Sequence, residues 1–462
     1  MSLPKTKKLS LTEALQSARE TRALEIGIDI LGKVPEVFKK QFPDATAVIV
    51  ADSMTFAVAA KKVVELFDRA GIKMIQPFIF TDPGVYAEHS YVVELENSLK
   101  LHQAIPVAVG SGAINDLTKL AAHRVGRPYM VVGTAASMDG YTAFGASITF
   151  EGSKQTFNCP APVTVVADLA ILRKAPAEMT ASGYADLLAK VTAGADWILA
   201  DALGVEPIEP QAWNIVQGGL RESLNNPTAV AKGDAAALAG LTEGLMLGGF
   251  AMQWAKSSRP ASGAEHQFSH LWDMQHHTHN GQAPSHGFKV GIATLAVTAL
   301  YEHLLEQPLE KLNVSACCAK WPSQGEIDAQ VKELFIADNF TAKAIEETQA
   351  KYISRTDLEI QLNHLQKIWP ELKTNLRNQL IPFDELKRML SEAGAPVDPG
   401  QIGISRQRLR NSCRQAYHIR RRFTVLDLMV RTGLLEAGLD SIFGAEGRWS
   451  LPASVNEPQA VA

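Results

Sequence analysis

From Glu265 to Gly287 the chain reads EHQFSHLWDMQHHTHNGQAPSHG, a stretch dense in imidazole beside an apolar helical pattern. His266 and His270 stand at i and i+4, which puts both rings on one face of a helix. His286 follows, and upstream the segment SGYADLLAK offers Asp186 as a carboxylate. Two histidines and one carboxylate hold a divalent ion while leaving a coordination position open, which is what catalysis at a metal requires. Such donors suit zinc, nickel or iron alike. Each residue also has a plainer reading. A lone histidine at 266 would be a buried, hydrogen-bonded helix residue, and Asp186 with Lys190 at i+4 would be a surface ion pair of little worth. Tyr184, Leu187 and Leu188 indicate instead a buried helix start, where an unpaired carboxylate is costly and a metal would resolve the cost. His276, His277 and His279 are denser still, but they precede the turn signal Asn280-Gly281 and read as a solvated loop.

The elements that must position these groups fall into two regions. Residues 45–52 (ATAVIVAD) are an apolar, β-branched run of strand length, and SMTFAVAAKKVVELFDRAGI follows with helical spacing. MIQPFIF, PVAVG and PYMVVGTA are further strands, separated by YAEHSYVVELENSLKLHQ and AINDLTKLAAHRVG as helices. Strand–helix alternation of this kind predicts an α/β domain with a doubly wound, mostly parallel sheet. After VTVVADLAIL (residues 163–172) the pattern turns helical almost throughout. The expected organisation is an α/β domain over 1–175, an all-helical C-terminal domain over 176–450, and a flexible tail over 451–462.

The third strand leads into Gly110-Ser111-Gly112 and then a helix, so that backbone N–H groups and the helix N-terminus face a possible pyrophosphate. The spacing departs from G-x-G-x-x-G, and a tight turn alone explains two glycines equally well. Asp52 ends the first strand, where it can accept from ribose hydroxyls, cap the next helix, or both. Thr134-Ala135-Ala136-Ser137 follows the fourth strand, another strand end of the kind that lines a cofactor crevice.

Composition sets the outer limits. Hydrophobic residues make up 46% and charged residues 20%, as in ordinary globular proteins. A net charge of -4 gives no electrostatic reason to expect nucleic acid or an anionic membrane as partner. Apolar runs such as AIPVAVG and YMVVGTAA are too short to span a bilayer, and MSLPKTKKLS lacks the apolar core of a secretory signal. The four cysteines include no CxxC pair and read as reduced thiols of a cytoplasmic protein.

Taken in order, GSGAIND, TAASMDGYTAFGAS, GYADLLAK, EHQFSHLWDM and HGFKVGIATL resemble the bacterial-type sn-glycerol-1-phosphate dehydrogenases. These belong to the superfamily of iron-containing alcohol dehydrogenase, glycerol dehydrogenase and dehydroquinate synthase. The resemblance runs from about residue 25 to 445. It implies a dehydroquinate synthase-like fold and NAD(P)H-linked reduction of dihydroxyacetone phosphate to sn-glycerol 1-phosphate, and the reverse. It also implies a likeness of roles: Asp186, His266 and His286 as ligands of one divalent metal, with Asp186 also near the substrate. His270 would contact substrate and relay a proton, and Asp139 would bind substrate hydroxyls. Asp52, Gly110, Ser111, Gly112, Ala113, Ile114, Asn115, Asp116 and Thr134 to Ser137 would wrap NAD(H) or NADP(H). A homodimer or higher homo-oligomer is the family's usual assembly. Where the family often has a serine four residues after the Asp of SMDG, this chain has Ala143, with Thr142 as a possible substitute hydroxyl. For the phosphate the expectation is Lys289, three residues after His286; helical geometry lets at most part of the Arg420-Arg421-Arg422 run face a cleft, and a solvated face or a dimer contact is the preferred reading of it.

Other functions fit less well. A glycerol dehydrogenase acting on an unphosphorylated polyol differs only in the phosphate-binding side chains. A dehydroquinate synthase-like lyase would offer Glu as first ligand with Lys three residues on, unlike Asp186 and Lys190. A structural metal site would normally close with four ligands, often cysteines.

Overall fold

The computed structural model describes residues 6–451; the expected tail beyond Leu451 lies outside it. A six-stranded sheet forms the N-terminal region: β1 (Ala23–Gly27), β2 (Ala47–Asp52), β3 (Phe78–Phe80), β4 (Ile105–Gly110), β5 (Met130–Gly133) and β8 (Thr164–Asp168). Its order is β1-β8-β5-β4-β2-β3, and every pairing is parallel. The predicted strands are all present. Val107, Val109, Val131, Val132, Val165 and Val166 are fully buried, as strands covered on both faces must be.

Two strand features have weak sequence signals. β1 is five residues long and only partly buried, so ALEIG carries no clear apolar run. The hairpin of β6 (Ala146–Phe150) and β7 (Ser153–Phe157) turns at Glu151-Gly152, where both residues have positive φ (49° and 75°). That is the backbone a two-residue hairpin turn needs, reached with Glu-Gly rather than the readable Asn-Gly or Asp-Gly.

The chain runs from β2 outward to β3, but from β4 the opposite way to β5. The order in which strands are added therefore reverses between β2 and β4, which stay parallel, and a crevice opens at their carboxyl ends, where Asp52 and Gly110 lie. Helix α1 (Gly112–Arg124) starts at this crevice.

From Leu169 onward the described residues are helical or irregular. Five helices matter for the site: α2 (Ala177–Leu188), α3 (Lys190–Ala202), α4 (Ala235–Ala255), α5 (Ala264–Met274) and α6 (His286–Glu306). Contrary to the sequence reading, α4 and α6 are long and apolar enough to cross a bilayer by length and composition. Their most apolar windows are 67% and 83% buried inside the protein, so the apolar surface is already covered by core packing.

Glycines bring α2 against its neighbours. A Cβ on Gly183 would lie 1.9 Å from the carbonyl oxygen of Ala136, and one on Gly287 1.9 Å from that of Ser182. Only hydrogen fits at either place. The two approaches seat α2 under the loop after β5 and bring the first turn of α6 onto α2. Gly183→Ala is expected to lower stability by about 1–3 kcal/mol through overpacking. Gly240→Ala on α4, where a Cβ meets nothing within 4 Å, should be neutral or slightly stabilising. Thermal unfolding of the two variants checks the contrast.

Candidate metal and dinucleotide site

Asp186 lies on the last turn of α2, His266 on the first turn of α5, and His286 is the first residue of α6. One donor atom from each falls within 4.8 Å of the other two. The His266 and His286 ring centroids are 5.2 Å apart, and His266 Nε2 is 3.7 Å from Asp186 Oδ1. His270 stands one turn beyond His266, its centroid 6.5 Å from each of the other two rings.

The outer nitrogens of both ligand histidines are occupied. Glu265, fully buried, takes the Nδ1 of His266 at 2.9 Å; its carboxylate also accepts from the backbone N–H of Gly263 (2.6 Å) and the hydroxyl of Thr192 (2.9 Å). Ser269 Oγ lies 3.3 Å from Nδ1 of His286. Each contact occupies Nδ1 and leaves Nε2 free, and His266 Nε2 is the atom nearest Asp186, the arrangement that fixes tautomer and ring orientation in histidine metal sites. Three converging donors with braced outer atoms fit a divalent ion.

Lys190 is the residue the sequence reading undervalued. Its ammonium is completely buried, 2.8 Å from Asp186 Oδ1 and 2.7 Å from Asp139 Oδ2. It is no surface pair: α3 follows directly on α2, and the i+4 spacing carries Lys190 inward. Asp186 Oδ2 meanwhile accepts from the backbone N–H of Asp139 (3.1 Å), tying the loop after β5 to α2. Burial opposes ionisation of Asp186, but the Lys190 charge and then the His266 imidazole outweigh it, holding the carboxyl well below the usual carboxylate range. Asp139 is raised, by burial first and then by the Asp186 charge. Burial would lower Lys190, yet the two carboxylates hold it above its ordinary value.

Burial pushes His286 down to about 3, into the neutral form that ligates metal. His270 also lies well below its ordinary value, through burial and then through the nearby Arg420 charge.

Around the crevice, the structure separates the expected cofactor residues. Ser111, Gly112, Ala113 and Asp116 are partly exposed at the opening of α1, and Ser111 makes no side-chain cap that would occupy the N–H groups there. Ile114 and Asn115 turn inward. Ile114 packs in the core, while Asn115 accepts from Tyr129 Oη (3.0 Å) and donates to Asp116 (3.0 Å) and the Gly140 carbonyl (3.3 Å). Asp52 caps the helical turn after β2 through Thr55 N (2.7 Å). Thr134, Ala135 and Ala136 are buried beneath the crevice, and Ser137 is partly exposed. A Cβ on Gly112 would meet the Met138 side chain at 2.9 Å, so that glycine lets the loop after β5 close over α1.

Several expectations need correction. Thr142 does not stand in for a cofactor hydroxyl: fully buried, it donates to the Met246 carbonyl on α4 (2.7 Å), while Ala143 lines the cavity. His277 is not solvated; it is buried, donating to the Ile402 carbonyl (2.6 Å) and accepting from Arg408 (2.7 Å). Lys289 is buried in an ion pair with Asp273 and does not line the cavity. The arginine run is not helical, and its three side chains part ways. Arg421 pairs with Glu347 (2.8 Å), and Arg422 donates to the Ser262 carbonyl (2.6 Å) and Ser258 Oγ (2.9 Å). Arg420 enters the cavity, which has a volume of about 100 Å³ and also holds Asp139, His266, His270 and His286. A larger cavity of about 590 Å³, bordered by Trp321 and His418, lies apart from these donors.

A parallel sheet with a dinucleotide-type crevice, an all-helical second region and a two-histidine, one-carboxylate centre between them define a class, the iron-containing alcohol dehydrogenases. The family model for iron-containing alcohol dehydrogenase matches residues 25–176. Among solved structures, glycerol dehydrogenase from Schizosaccharomyces pombe superposes with a TM-score of 0.57 at 16% identity, covering 96% of each chain. Within that class the chain belongs to the glycerol-1-phosphate dehydrogenase family. It is 34% identical to the NAD(P)+-dependent glycerol-1-phosphate dehydrogenase of Halalkalibacterium halodurans over 63% of this chain and 73% of the relative. The enzyme of the same name from Geobacillus stearothermophilus is 28% identical over 82% and 85%.

Glu265→Gln removes the charge that braces His266 while keeping the side chain's size. Metal affinity, measured by chelator competition, is expected to fall roughly 10–100-fold, with the fold unchanged by circular dichroism. Unaltered affinity would show that Glu265 does not orient the ligand.

Proposed function

We propose that this protein interconverts dihydroxyacetone phosphate and sn-glycerol 1-phosphate, with NAD(P)(H) as hydride carrier and one divalent metal held by Asp186, His266 and His286. The observation that carries the reading is the convergence of those three donors within 4.8 Å, beside a dinucleotide-type crevice, in a chain of this family. When bound, the metal supplies Lewis-acid polarisation of the ketone oxygen and the nicotinamide supplies the hydride.

The rest falls to the chain's own groups. The first turn of α1 and the loop 134–137 receive the dinucleotide, with Asp52 at the ribose end. His270, neutral in its buried setting, has an Nδ1 with no hydrogen-bond partner among the described residues. A neutral imidazole donates at one nitrogen and accepts at the other, so His270 can hold a substrate hydroxyl and pass a proton to the nascent alcohol oxygen. Asp139, fixed by Lys190, presents its carboxyl to the same cavity and orients the hydroxyls. The small volume leaves little room for water beside a bound substrate. Operation in the cytoplasm as a homodimer belongs to the same reading, supported by four free cysteines and by the usual assembly of the family it resembles.

The test is NADH and NADPH oxidation by metal-reconstituted protein, with dihydroxyacetone phosphate and dihydroxyacetone side by side. Turnover that favours the phosphate, and that disappears together with bound metal in His266→Ala and Asp186→Ala, is the expected result. Preference for dihydroxyacetone, or activity that survives loss of the metal, would refute the reading.

A further inference from the structure

The cavity beside the three histidines must neutralise an anion if its substrate carries a phosphate. Most cations near it are already committed. Lys190 is held between Asp139 and Asp186, and Lys119 donates to the carbonyls of Gly140, Ala143 and Gly145 at 2.9–3.0 Å. Lys289 is paired with Asp273. Arg420 differs. It lines the cavity, it is only partly exposed, and among the described residues its guanidinium has neither an ion pair nor a hydrogen bond.

We infer that Arg420 is the phosphate receptor, and the residue that makes this site select a phosphorylated over a free triose. The inference rests on the functional reading above and assigns the one part of the substrate that reading leaves without a partner.

Three features support it. First, the backbone delivers Arg420 alone. Residues 420–424 are non-helical, and the two residues that follow it, Arg421 and Arg422, are anchored elsewhere, to Glu347 and to the Ser258–Ser262 turn. These anchors hold the segment while the free guanidinium of Arg420 lines the cavity. Secondly, the Ser258–Ser262 turn borders the same cavity, so hydroxyl and backbone donors stand beside Arg420. Thirdly, the planar fork of a guanidinium matches two phosphate oxygens, and an unpaired guanidinium away from bulk water gains most from such a partner. Arg420 and the metal donors sit in one small cavity, so a three-carbon substrate can meet both, its carbonyl toward the histidines and its phosphate toward Arg420. Hairpin β6–β7 carries Lys154 on the same strand face as the cavity-lining Thr156.

The experiment compares kcat/KM for dihydroxyacetone phosphate and dihydroxyacetone in the metal-loaded parent, Arg420→Ala, Arg420→Gln and Arg420→Lys. The preference for the phosphate is expected to fall roughly 30-fold or more in Ala and Gln, with Lys retaining part of it. Added guanidinium ion should restore phosphate turnover to Arg420→Ala, a rescue that a structural role would not give. The Gln and Lys variants fill the space of the original side chain and decide the matter should the alanine variant fail to fold. Inorganic phosphate should inhibit the parent competitively against dihydroxyacetone and lose that effect in Arg420→Gln. A parent that prefers the phosphate, with folded variants keeping the same preference and the same phosphate inhibition, overturns the Arg420 assignment alone. A parent without that preference overturns the functional reading and this inference with it.

Discussion

One ammonium group ties the two halves of the molecule together. Lys190 is buried completely between Asp186, a donor of the metal centre on α2, and Asp139, on the loop that leaves the sheet. Removing a charge of either sign from water is expensive, and the arrangement survives only because each charge meets its opposite within hydrogen-bonding distance. Two carboxylates and one ammonium leave a net negative charge in the buried cluster beside the cavity. That residue of charge is what a divalent cation completes. The glycines at 183 and 287 serve the same end, since without their close approaches the three donors would not share a centre.

Both signs of charge line the one cavity. Asp116 and Asp139 line it, braced by Lys119 and Lys190, with Asp186 bound to the same Lys190. Arg420, Ser258 and Ser262 line it as well and supply a cation and hydroxyl donors. A substrate with a ketone at one end and an anionic group at the other finds complementary charge at both. His270 stands between, kept neutral by burial and by the arginine's field, which suits a group that must exchange a proton without holding a charge.

Much of this was legible in the chain. Strand runs such as AVIVAD and MVVG follow directly from β-branched, apolar composition, and the spacing of His266 and His270 placed two imidazoles on one helix face. The misses have local physical causes. Glu265 is adjacent to His266, and neighbours on a helix point about 100° apart, so periodicity gives no hint that they touch; they do because Glu265 sits in the first turn and folds back to Gly263 N. Lys190 entered through the plainer surface-pair alternative, because i,i+4 pairs usually are exposed, and so was given no role in the site; here both helices that carry the pair are interior. The arginine run was judged by helical geometry, and the loop that separates its three side chains is set by tertiary anchors no spacing rule contains.

The most direct test of the account is an anomalous difference map from crystals of the purified, metal-reconstituted protein, recorded at the absorption edge of the bound ion. The account predicts one strong peak, within about 2.0–2.2 Å of a carboxylate oxygen of Asp186 and the Nε2 atoms of His266 and His286. A peak among His276, His277 and His279, or none between the three named residues, would contradict it.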